Sequence, residues 1–118
     1  MMQGGKKPPV SADLESKEAI AERLEIARIA LGYATQQAFA ASVQITPSKW
    51  NNYVAARDRI PLNVALELRK RHRLSLDWIY SADPTGLPLA LARRIEEVSA
   101  NVERSATQPH RRKTVPQR

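Results

Sequence analysis

The sequence predicts an all-α chain, with a five-helix domain over residues 13–82, one further helix, and a flexible segment at each end. Three observations lead there. Apolar residues recur three and four apart, the spacing of a helix face. Helix-start signals stand at Thr35, Thr46–Pro47, Pro61, Ser75 and Pro88. No stretch alternates apolar with polar residues as a half-buried strand does.

Residues 1–12 are polar and include Gly4, Gly5, Pro8 and Pro9, the composition of a disordered arm. From about Asp13 a first helix carries Leu14, Ile20, Leu24, Ala27 and Leu31 on roughly one face, and Gly32 supplies a left-handed stop. Thr35 caps a second helix over Gln36–Ser42, with Phe39 and Val43 on one face. Thr46 caps a third, for which Pro47 is a suitable first residue. Trp50, Tyr53 and Val54 turn inward there, and Arg57-Asp58-Arg59 ends it as a loop. Pro61 opens a fourth helix that buries Val64, Ala65 and Leu68 and closes in Arg69-Lys70-Arg71. Ser75 caps a short fifth, Leu76–Tyr80. Residues 83–100 comprise the turn Asp83-Pro84-Thr85-Gly86 and an amphipathic helix, Leu89–Ala100, with Leu87, Leu89, Leu91, Ile95 and Val98 as its apolar set. Residues 101–118 read as a basic, disordered tail.

Charge narrows the partner. The net charge is +7, and it is clustered. Residues 57–73 hold six basic against two acidic residues, and residues 101–118 hold five against one. Clustering of this kind suits a polyanion. With Cys at 0, disulfides and thiolate metal sites are excluded, which fits a reducing cytoplasm. No apolar run reaches the roughly 18 residues of a membrane span. Lys6 and Lys7 precede no apolar stretch, so no signal peptide is expected. His72 and His110 lack carboxylate or thiol neighbours at ligand spacing and read as surface residues. No catalytic set, metal site, cofactor loop or small-molecule pocket is legible, so the chain is not expected to be an enzyme.

The central feature is the pair of capped helices separated only by Val43-Gln44-Ile45. So short a connection forces a steep crossing, the geometry of a helix-turn-helix from Thr35 to Ala55. Ala40 is small where the helices approach, and Val43, Ile45, Trp50 and Tyr53 face the core. The outward positions of the later helix are then Pro47, Ser48, Lys49, Asn51 and Asn52, with Ser48 and Asn52 one turn apart.

On these residues the stretch Arg23–Ser81 resembles the lambda-repressor/Cro-type (xenobiotic-response-element) helix-turn-helix domain. Its landmarks are Gln36, Phe39-Ala40, Thr46-Pro47-Ser48, Pro61 and Ser75-Leu76-Asp77-Trp78-Ile79. Gln44, Val54 and Ala56 depart from the family pattern, standing where Gly, Glu and Gly are common. The resemblance implies a five-helix lambda-repressor-like fold and a nucleoid-associated transcriptional regulator, a repressor acting by occupying double-stranded DNA in the major groove. It implies that Gln36 touches a phosphate and buttresses the recognition helix. It also implies that Ser48, Lys49, Asn51 and Asn52 face the groove, Ser48 and Asn52 nearest the base edges, and that Thr46 and Arg57 meet the backbone. A homodimer is expected, because one module contacts few bases. The alternative is an antitoxin-like or adaptor module that binds a protein with the same fold.

Overall fold

Helices in this chain begin where a short polar side chain can satisfy an orphan amide. The computed structural model, which describes residues 14–107, shows the Ser16 hydroxyl accepting from the Ala19 amide at 3.0 Å. Thr35, Thr46 and Ser75 accept in the same way from Ala38, Lys49 and Trp78. Six α-helices follow: α1 (Lys17–Ala30), α2 (Gln36–Ser42), α3 (Pro47–Val54), α4 (Leu62–His72), α5 (Leu76–Ser81) and α6 (Leu89–Thr107). A single 3-10 turn, Pro84–Gly86, precedes α6. The described residues contain no strand.

α1 is the central element, packing on α2, α3, α5 and α6. Its Ile20, Leu24 and Ala27 meet Phe39, Trp50, Val64, Leu68, Ile79 and Ile95 in one apolar core. The expected α1 face is corrected at its start. The helix begins at Lys17, after the Ser16 cap, and Leu14 is exposed in the segment before it. A charged residue is buried instead: Arg23 is 7% exposed. Its Nε donates to the Ile79 carbonyl at 3.0 Å and its Nη2 to the Leu14 carbonyl, so it ties α5 and the entering chain to α1. A buried cation is tolerated because carbonyl oxygens replace the water it loses.

α6 runs to Thr107, seven residues past the expected end. Residues 101–107 are therefore helical, not part of a disordered tail; residues 1–13 and 108–118, which include most of both expected flexible segments, lie outside the described residues. The physical reason is one more turn of apolar stripe. Leu91 and Ile95 are buried, and Val98 and Val102 pack half-buried on the same face. The Arg94 guanidinium donates to the Ala30 carbonyl at 2.8 Å and fastens this helix to the end of α1. Leu89 stays 67% exposed and is not part of the inward set.

Four non-glycine residues among those described take left-handed backbone: Gln44, Ala56, Arg73 and Ala82. Gln44 and Ala56, with φ of 62°, flank α3. A side chain in that region costs about 1 kcal/mol relative to glycine. The core of α2, α3 and α4 bears that cost on both sides of α3.

His72, expected at the surface, is half-buried. Its ring lies 5.4 Å from Phe39 and 5.6 Å from Tyr33, and its Nε2 is 2.8 Å from the Ser42 hydroxyl. Ser42 donates to the Phe39 carbonyl at 2.6 Å, so its oxygen is left to accept from Nε2–H. Burial pushes the His72 imidazole below its ordinary pKa, and Arg71 pushes the same way. Protonation is thus disfavoured in the folded chain more than in the unfolded one. This stability is fully present above the ordinary imidazole range and is lost as pH falls through it toward the lowered value. Urea unfolding between pH 7.5 and 5.5 is expected to show stability declining on acidification. In His72→Gln most of that decline should vanish; a slope unchanged in the variant would assign it to other groups.

Candidate nucleic-acid interface

α2 and α3 are joined by a turn that the backbone itself closes. The Ile45 amide donates to the Ala40 carbonyl at 3.0 Å, and Val43 is 1% exposed beneath it. Ala40, 0% exposed, gives the second helix room to approach. The placement of α3 then rests on one large side chain. The Trp50 ring is buried edge-on against Phe39, centroids 5.4 Å apart, and against Tyr53 at 6.0 Å. A buried indole needs an acceptor for its N–H. Gln36, the first residue of α2, supplies it: Trp50 Nε1 donates to Gln36 Oε1 at 2.7 Å.

The chain of partners continues outward. Gln36 Nε2 donates to the Glu25 carboxylate. Arg28 engages the same carboxylate with two nitrogens, at 2.8 and 3.3 Å, and donates to the Tyr33 carbonyl at 2.6 Å. The Arg28 hydrogen bonds, more than the Gln36 contact, hold the Glu25 carboxyl below the usual carboxylate range. α1, the loop after it, α2 and α3 are linked in one hydrogen-bonded line.

The outward face of α3 is polar and open. Pro47, Ser48, Lys49 and Asn51 are all exposed. Pro47, Ser48, Asn51 and Val54 share a depression of about 460 Å³ with Gln36 and Gln37 of α2. Asn52 stands on the flank of this surface: it is half-buried, and its Oδ1 accepts from Arg57 Nε at 3.2 Å. Of the two asparagines, it is Asn51 that lines the depression with Ser48, although Asn52 was expected nearest a ligand. Thr46 caps the amino end of α3 and Arg57 follows its carboxyl end, the helix between them being about 12 Å long at 1.5 Å per residue. Gln36 does buttress α3, through Trp50. Gln37 was missed by the sequence reading. The available signal was its place beside Gln36 in the exposed first turn of a helix that must pack on α3.

Electrostatics do not single out this face by charge. Lys49 is the only charged residue of α3, and the described residues hold thirteen basic against eleven acidic side chains. Most of the +7 therefore lies in residues 1–13 and 108–118. The basic end of α4 lies elsewhere, against the carboxyl end of α2, where His72 meets Ser42. Among the described residues no group of His, Asp or Glu is arranged to hold a metal ion, and no helix is long and apolar enough to cross a membrane. No family model, curated protein or solved structure matches the chain.

The buttress makes a specific expectation. Gln36→Leu leaves the buried Trp50 N–H without an acceptor, at a cost of about 1–3 kcal/mol. Trp50→Phe removes the donor, so the double variant should lose less than the sum of the two single losses. Thermal unfolding of all four chains measures this coupling. Strict additivity would mean that the two side chains do not act through this bond.

Proposed function

We propose that the chain is a sequence-specific DNA-binding regulator that inserts α3 into the major groove and represses by occupying its site. The observation that carries this reading is the exposed polar face of α3, whose donors and acceptors stand clear of a scaffold hydrogen-bonded from Trp50 to Arg28. An exposed helix of eight residues fits a groove about 12 Å wide. Asn51 can pair with adenine N6 and N7, Lys49 with guanine O6 and N7, and Ser48 with several bases. Thr46, at the amino end of α3, and Arg57, oriented by Asn52, suit phosphates on either side. Gln36 retains one amide proton for a phosphate, since its oxygen and its other proton serve Trp50 and Glu25.

In this reading the net charge of the terminal segments adds affinity without sequence preference, which keeps the protein on the nucleoid. A homodimer belongs to the proposal, because two copies read two half-sites. An open, largely apolar groove between α1 and α6, lined by Ile29, Val98, Asn101 and Val102, offers a surface for a second copy.

Selection of bound duplexes from a random pool, followed by anisotropy on the preferred sequence, tests the proposal. A single motif should emerge, and log affinity should fall by about 0.9 per neutralised phosphate per decade of salt. Asn51→Ala should cost roughly 1–3 kcal/mol on that motif and relax one base position, with little effect on melting. An unenriched pool, or a variant weakened equally on all sequences, would overturn the assignment of α3.

A further inference from the structure

The basic run that closes α4 does not act as one patch. Lys70 and Arg71 both turn to Glu67, at 3.4 and 3.0 Å, and share its one carboxylate. Arg69, in the last turn of α4, and Arg73, the left-handed residue that follows the helix, have no ion-pair partner among the described residues. These two line a depression of about 480 Å³ together with Ser75, Gly86, Leu87 and Pro88. The Ser75 oxygen accepts from the Trp78 amide, so its hydroxyl proton remains to be donated, with no acceptor for it among the described residues. The side chains of this depression thus offer two guanidinium groups and a hydroxyl proton for donation, against an apolar wall of Leu87 and Pro88. No acidic side chain lines it.

We propose that this depression binds the phosphoryl group of a small phosphorylated ligand. A donor-rich set built on two arginines matches an acceptor-only oxyanion, and guanidinium groups are the preferred partners of phosphate. The space falls within the roughly 300–1,000 Å³ of small-molecule sites, with room for an organic part against Leu87 and Pro88. The dipole of α4 favours cations in its last turn, but it acts on Lys70 and Arg71 as well. It does not account for the two that lack carboxylates facing the same hollow. The site is separate from the α3 face, since α4 ends beside the carboxyl end of α2 and the α3 depression lies beside its amino end. The proposal therefore stands whether or not α3 binds DNA.

Titration of the full chain with inorganic pyrophosphate at fixed ionic strength, followed by calorimetry and ³¹P NMR, tests it. Arg73 has φ of 64°, a conformation that asparagine adopts readily, so Arg69→Gln/Arg73→Asn should keep the fold and its melting temperature. That variant should bind pyrophosphate about tenfold or more weakly, because charge-assisted hydrogen bonds are lost. Lys70→Gln/Arg71→Gln removes the same charge from the other side of the helix and should stay within about twofold. Saturable binding lost only in the first variant supports the site. No saturable binding by the parent chain, or equal loss in both variants, overturns it. Arginine substitutions that weaken binding to duplex DNA while leaving pyrophosphate binding unchanged would also overturn it, making Arg69 and Arg73 backbone contacts instead.

Discussion

The rest of the structure depends on how Trp50 is satisfied. Its ring must be buried for α3 to stay on the domain, yet its N–H must be bonded for burial to be tolerable. Phe39, the sole phenylalanine of the chain, meets the first need, and Gln36 meets the second. Both lie on α2, three residues apart and so on one side of that helix. α2 is consequently less a ligand-binding element than a bracket. Phe39 also touches Tyr33 and His72, so the same bracket carries the loop after α1 and the end of α4.

This arrangement divides labour within the molecule. The face of α3 is nearly uncharged, and the surplus of positive charge lies in the terminal segments and in the unpaired arginines of α4. Under the proposed reading, a surface of asparagine, serine and one lysine would discriminate by hydrogen-bond geometry, which tolerates little misplacement. Rigid support from the Trp50–Gln36–Glu25–Arg28 line is what such a surface requires. The left-handed backbone of Gln44 and Ala56, on either side of α3, shows that packing rather than local preference sets the helix in place.

What was legible in the sequence was mainly local. Thr35, Thr46 and Ser75 cap helices because each can reach an amide three residues on, and such signals need no knowledge of the fold. The start of α2 followed from the Thr35 cap, and the inward set of α4 from periodicity. What was not legible depends on partners distant along the chain. Arg23 is buried because Ile79, 56 residues later, offers it a carbonyl. His72 leaves the surface because Ser42 and Phe39 lie against the end of α4. The length of α6 was understated because Ser99, Ala100 and Asn101 separate Val98 from Val102, although the apolar stripe continues beneath them. At the candidate interface, the residue types and the helix were readable. The sharing of the depression by Asn51 and Gln37, and the diversion of Asn52 to Arg57, emerge only once α2 is set against α3.

The account turns on whether the outward face of α3 is the contact surface. Backbone amide shifts of the ¹⁵N-labelled chain, recorded while a selected duplex is added, test this most directly. The account predicts that the largest changes fall on Gln37, Ser48, Lys49 and Asn51, while the amides of α6 move little. Changes centred on α6 or on Arg69 and Arg73, with α3 silent, would contradict it.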